Sequence, residues 1–168
     1  ESVINDTTSI KYAGNTLLDS IDNILDMSDD NQEGNLNLKE YNVLELFNRM
    51  KTLAITRIGA KQIIFEMEID NNINSKLKGD ITKIQKVLMN VLTNAAKYTE
   101  IGKIRLIVTC STEKDIQTLH IKITDTGCGI KDEDQPNIFT DSTETSGVGL
   151  ALSKKYLDIM KGTIKVES

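Results

Sequence analysis

From Lys86 to Thr99 the chain reads KVLMNVLTNAAKYT, a spacing that would set Asn90, Asn94 and Lys97 together on one helix face. Carboxamide oxygens are hard ligands of the kind Mg²⁺ takes, and an ammonium one turn beyond can meet phosphate oxygens. Such a face can serve a metal-bound polyphosphate, although an ordinary polar helix face has the same make-up. Two glycine-rich stretches follow, Asp125-Thr126-Gly127-Cys128-Gly129-Ile130 and Gly147-Val148-Gly149-Leu150-Ala151. Gly127 and Gly129 permit close backbone approach and positive φ, which a flat base against a loop requires and a simple turn would also want. A glycine-rich entry into a helix leaves free N–H groups and a favourable dipole facing phosphate.

The patterning around these residues sets out the elements that must hold them. Val87, Leu88, Val91, Leu92, Ala95 and Ala96 recur at helical spacing behind Asp80 as a cap, which predicts a helix to about Lys97. Leu36 and Leu38 alternate with polar residues and suggest a short strand. Asn42, with Glu45 three residues on, opens a helix whose apolar face is Val43, Leu46, Phe47, Met50, Leu53 and Ala54. Ile63, Phe65, Met67 and Ile69 alternate as a strand with one buried face. Ile104, Leu106, Val108 and Cys110, then Leu119, Ile121 and Ile123, flank a polar stretch from Ser111 to Gln117 and read as an antiparallel hairpin.

Asp125 shares parity with Leu119, Ile121 and Ile123, so its carboxylate should leave the strand end toward the apolar side, where it is costly without a donor. The plain alternative is an Asp fixing the turn before Gly127. A last helix starts at Gly147, with Leu150, Leu152, Tyr156, Leu157, Ile159 and Met160 as its apolar bulk, and turns at Gly162 into Thr163-Ile164-Lys165-Val166. Near the start, Ile10, Leu17, Leu18, Ile21, Ile24 and Leu25 form a further helical stripe.

Together these residues resemble the catalytic and ATP-binding domain of sensor histidine kinases, within the GHKL superfamily of gyrase, chaperone, kinase and mismatch-repair ATPases. The asparagine box looks like Asn90-x-x-x-Asn94-Ala95-x-Lys97-Tyr98-Thr99. The first glycine box looks like Asp125-x-Gly127-x-Gly129-Ile130, the second like Gly147-x-Gly149-Leu150-Ala151, and Ile138-Phe139 resembles part of the phenylalanine box. The resemblance implies an α+β fold: a two-layer α/β sandwich of the Bergerat type, a mixed sheet with helices on one face, preceded by one long helix. It implies ATP and Mg²⁺ as cofactors, with Asn94 as principal metal ligand and Asn90 supporting it. Lys97 would lie near the phosphates, Tyr98 and Ile130 would border the nucleoside, and Asp125 would accept from the adenine amino group. Gly127, Gly129, Gly147, Val148, Gly149 and Leu150 would complete the nucleotide's surroundings.

The implied reaction is transfer of the ATP γ-phosphate to a histidine, then to an aspartate on a response regulator receiver domain. Residues 1–30 look like the second helix of the family's dimerisation and phosphoacceptor hairpin, and 31–168 like the catalytic domain without its final strand. The parent protein is then expected to be a homodimer through the complete hairpin. The family's acceptor histidine sits on a long helix beside Glu or Asp. The single histidine here, His120, shares the polar side of a predicted strand with Lys122, so this fragment alone is not expected to phosphorylate itself. Hydrolases of the superfamily carry Glu four residues before the metal-binding Asn; here that place is Asn90, and an amide cannot take a proton from water at neutral pH.

Several departures keep a second reading open, a non-catalytic ATP-binding scaffold or degenerate kinase that acts through helix-mediated partner binding. Thr145 stands where the family has a glycine, and the segment TDSTETS between Phe139 and Gly147 is short for the family's lid and has no basic residue. The second Phe of the phenylalanine box is absent.

The whole chain narrows the classes further. Its 168 residues, 39% hydrophobic and 27% charged, suffice for one core plus a helical appendage. The net charge is −5 and the Lys and Arg residues are scattered, which gives no nucleic-acid footprint. No apolar run has the length of a bilayer span, and the first residues lack the features of a signal peptide. No direct membrane contact is expected, and the compartment expected is the cytosol, with or without a membrane tether in the parent protein. Cys110 and Cys128 match no metal spacing and read as reduced thiols.

Overall fold

A computed structural model describes residues 36–140 and 148–168. The stripe expected over residues 1–30 and the lid segment at 141–147, Gly147 included, lie outside the described residues. In chain order the elements are β1 (Lys39–Asn42), α1 (Val43–Ile58), β2 (Gln62–Ile69), β3 (Lys76–Gly79), α2 (Ile81–Tyr98), β4 (Ile101–Glu113), β5 (Ile116–Asp125), a 3₁₀ turn (Gln135–Asn137) and α3 (Val148–Ile159). The strands β2, β4 and β5 form a mixed sheet in that order, β2 parallel and β5 antiparallel to β4. β1 and β3 pair antiparallel as a separate ribbon.

Both expected caps form. The Asn42 side chain accepts from Glu45 N at 2.9 Å, and Asp80 Oδ1 accepts from Lys83 N at 3.1 Å, each satisfying a donor that a helix start leaves free. Helices α1 and α2 cover one face of the sheet. Their shared core holds Leu46, Phe47 and Met50 from α1, Leu88, Leu92, Ala95 and Ala96 from α2, and Ile104, Leu106 and Val108 from β4, with Ile63, Phe65, Met67 and Ile69 of β2 packed on it. Val87 belongs elsewhere. It meets Leu152 and Tyr156 of α3 in a second cluster on the other side of α2, joined by Leu157, Ile159 and Met160.

Three expectations change. The strand expected at Leu36 and Leu38 lies one step later, at Lys39–Asn42, because the partner β3 runs only from Lys76 to Gly79 and pairs Lys39 with Gly79; Leu36 and Leu38 are exposed. The hairpin loop expected from Ser111 to Gln117 shrinks to Lys114-Asp115, since Ser111, Thr112 and Glu113 continue the ladder opposite Thr118, Gln117 and Ile116. Lys114 takes φ 55° to make that turn. Leu53, placed on the buried face of α1, is 36% exposed, and Ile58, one turn after the buried Ala54, faces inward instead.

His120 stands exposed on β5, its Nε2 2.8 Å from Ser111 Oγ across the hairpin, as a strand residue. Both cysteines are free thiols.

Candidate functional site

Helix α2 carries the asparagines. Asn90 and Asn94 are half-buried and Lys97 is exposed, so the polar stripe emerges from between the helices toward the helix C-terminus. The Lys97 ammonium lies 5.1 Å from the ring centroid of Tyr98, which is 46% exposed.

Asn90 faces α3 and joins the two helices. Its Nδ2 donates to Gly149 O at 2.9 Å and to Ser153 Oγ at 3.1 Å, while Ser153 Oγ donates to Gly149 O at 2.8 Å. The amide nitrogen is thereby committed, and the other polar atom of that side chain is its carbonyl oxygen. Gly149 fits this contact because a Cβ there would come within 3.3 Å of the Asn90 carboxamide carbon and oxygen. Ser153, fully buried, carries no motif and is invisible to sequence reasoning.

The Asp125–Ile130 loop packs against the C-terminus of α2. Cys128 N donates to Tyr98 O at 3.3 Å, Asp125 Oδ1 accepts from Gly127 N at 2.9 Å, and Thr99 Oγ1, on a fully buried residue, reaches the same Oδ1 at 3.5 Å. A Cβ at Gly127 would stand 2.5 Å from Tyr98 O and 2.8 Å from Asp125 Oδ1, so only glycine permits this approach. Gly129 instead needs its freedom for φ 73°. Ile130 N donates to Ser168 Oγ at 2.6 Å.

Asp125 needs a correction. The ladder puts it opposite Ile104, on the apolar face as its parity requires, yet its side chain is exposed rather than desolvated. It is the last residue of an edge strand, and Thr99, which caps the C-terminus of α2, reaches it at 3.5 Å. Its Oδ1 also does what the plainer alternative asked, accepting from Gly127 N to set the turn.

The donor set suits a magnesium nucleotide. Two carboxamides and an ammonium stand on one helix, oxygens of the hard kind and a cation, a carboxylate stands beside a backbone cradle that a Cβ would fill, and the first turn of α3 is tied to Asn90. Among the described residues no group of three His, Cys, Asp or Glu could hold an ion. No described helix is long and apolar enough to cross a membrane.

Known proteins share both the sequence pattern and the fold of this chain. The chain is 29% identical over 172 aligned residues to sensor histidine kinase RcsC of Salmonella typhimurium, an alignment that takes in 96% of this chain and 18% of that relative. The fold matches histidine kinase AdeS of Acinetobacter baumannii with a TM-score of 0.68 at 23% identity, over 94% of this chain and 75% of that one. It also matches histidine kinase ThkA, solved in complex with the response regulator protein TrrA, with a TM-score of 0.67 at 26% identity, over 89% of this chain and 43% of that one. Residues 79–168, more than half of the chain and the part that holds all three motifs, match the family described as histidine kinase-, DNA gyrase B-, and HSP90-like ATPase. On that ground the chain belongs to this family of ATPases.

Proposed function

We propose that this chain is the ATP-binding catalytic portion of a sensor histidine kinase, delivering the ATP γ-phosphate to a histidine on a helical hairpin. The observation that carries phosphotransfer over hydrolysis is Asn90. Its place is that of a general base in the superfamily's hydrolases, but an amide cannot accept a proton from water, and its nitrogen is already bonded to Gly149 O and Ser153 Oγ.

In this reading Asn94 is the principal Mg²⁺ ligand through its carboxamide oxygen, with Asn90 Oδ1 in support and Lys97 close to the phosphates. Bound Mg²⁺ supplies charge neutralisation and alignment of the polyphosphate. Tyr98 and Ile130 border the nucleoside. Asp125, with Oδ1 engaged by Gly127 N, meets the adenine amino group through Oδ2. Gly127 and Gly129 let the loop backbone approach the base, while the motif of Gly147, Val148, Gly149 and Leu150 serves the phosphates. Residues 1–30 serve as the second helix of a dimerising phosphoacceptor hairpin in a homodimeric parent, and a response regulator receiver domain takes the phosphoryl group. The similarity to ThkA, whose structure includes a response regulator, supports that partner.

Titration with a fluorescent ATP analogue, with and without Mg²⁺, tests the site. Asn94→Ala is expected to lose the metal dependence that the wild type shows, and equal behaviour of the two proteins would sink the assignment. Incubation with γ-labelled ATP and a separately supplied parental hairpin tests the reaction. Acid-labile label on the hairpin establishes the kinase, whereas intact binding without transfer favours the scaffold reading.

A further inference from the structure

Lys61 stands outside every motif, in the short connection between α1 and β2, where Gly59 ends the helix with φ 61°. The parallel pairing of β2 with β4 sets Gln62 opposite Ile101, which brings the residue before one strand beside the residues before the other. Lys61 Nζ therefore arrives at the C-terminus of α2. It donates to Ala96 O at 2.8 Å, Thr99 O at 2.9 Å and Lys97 O at 3.2 Å, and pairs with Glu100 Oε1 at 3.1 Å. The Lys61 side chain is 26% exposed and Glu100 79%, so the carbonyl contacts outweigh the ion pair.

A helix C-terminus leaves its last carbonyls without intrahelical partners and carries partial negative charge, which an ammonium satisfies on both counts. What is held here is the short segment that also meets the glycine loop. Between the carbonyls taken by Lys61, Tyr98 O accepts from Cys128 N, and Thr99 Oγ1 reaches Asp125 Oδ1. The same segment presents Lys97 and Tyr98.

We infer that Lys61 is a positioning residue for the nucleotide site, clamping residues 96–99 so that Tyr98 and Thr99 stay in register with the Asp125–Gly129 loop. The role rests on the nucleotide-binding reading proposed above. It acts on the base end of the site, because the carbonyls that Lys61 holds, those of residues 96, 97 and 99, flank Tyr98 and lie past Asn94 along the chain.

The test compares wild type, Lys61→Met, Lys61→Arg and Asn94→Ala by ATP and GTP affinity with and without Mg²⁺, by thermal midpoint, and by amide hydrogen exchange at Thr99 and Cys128. Lys61→Met is expected to speed exchange at both amides, weaken ATP by about tenfold and narrow the ATP over GTP preference, while keeping the Mg²⁺ dependence. Lys61→Arg, which retains charge and donors, should restore most of the affinity. A Lys61→Met protein with a lowered thermal midpoint but wild-type ATP affinity and base preference, beside an Asn94→Ala protein that has lost binding, overturns the role and leaves the nucleotide reading standing. A wild-type protein that binds no adenine nucleotide overturns both.

Discussion

The face of α2 that turns to the sheet sinks Leu88, Leu92, Ala95 and Ala96 into a core shared with α1, β2 and β4, whereas the face that turns to α3 meets it through Val87, Leu152, Tyr156 and one carboxamide. The first contact is apolar and gathers residues from three other elements. The second has a smaller apolar cluster, and a polar triangle of Asn90, Gly149 and Ser153 fixes its register. Burial thus sets where the asparagine-bearing helix sits, and hydrogen bonding sets where the glycine-rich start of α3 sits against it. A site built across that seam takes its stability from one side and its alignment from the other.

The same truncation on the two faces should separate these contributions. Leu92 is 1% exposed and enclosed by α1 and the sheet, so Leu92→Ala is expected to cost about 3–5 kcal/mol. Leu152 is nearly as buried, but its cluster is small and open to relaxation, and Leu152→Ala should cost about 2–3 kcal/mol. Urea midpoints give both values. Equal losses would mean that the α3 side is as constrained as the core.

The N-terminus of α2 sharpens the comparison, because there a polar anchor sits on the core side. Asp80 is 2% exposed and accepts from Asn37 N at 3.0 Å, from Lys83 Nζ at 2.9 Å and from Lys83 N. Burial alone would raise its pKa, but the Asn37 and Lys83 donors outweigh that and hold it below the usual carboxylate value. A carboxyl depressed in the folded state stabilises fully above its unfolded pKa, and the contribution disappears as pH falls through the depressed value. Asp80→Asn should therefore cost about 2 kcal/mol at neutral pH, with the gap to wild type closing below about pH 4. A gap that persists in acid would show that geometry rather than charge matters at this cap.

How far these features could be read from sequence depends on whether their cause is local. The caps at Asn42 and Asp80, the parity of β2 and the solvated place of His120 all follow from short-range spacing, and all are found. Periodicity marks Val87 as apolar but cannot say which helix covers it, so one stripe reads as one face where the structure divides it between two. Lys76–Gly79 offers a single apolar side chain, Leu77, and becomes a strand only because β1 lies opposite. The parity of Asp125 is legible, while its exposure depends on how far the helix cover reaches past the strand end. Lys61 bonds backbone carbonyls far along the chain and Ser153 accepts from Asn90 on another helix, and such contacts have no spacing to betray them.

The smallest expected effect falls on the seam itself. Asn90→Ala removes the donor that Gly149 O shares with Ser153, but Ser153 Oγ still donates to that carbonyl, so no buried acceptor is left without a partner. The cost to stability should be about 1 kcal/mol, below that of either leucine truncation. Nucleotide binding should respond differently. Because Asn90 aligns α3 through its nitrogen besides supporting the ion through its oxygen, the variant weakens ATP in the absence of Mg²⁺ as well as in its presence, whereas Asn94→Ala acts on the metal-dependent part. Isothermal titration of the two variants at several Mg²⁺ concentrations distinguishes these patterns. A purely metal-dependent loss in Asn90→Ala would confine Asn90 to its supporting place at the ion, and would leave the apolar cluster of Val87, Leu152 and Tyr156 to set the register of α3 unaided.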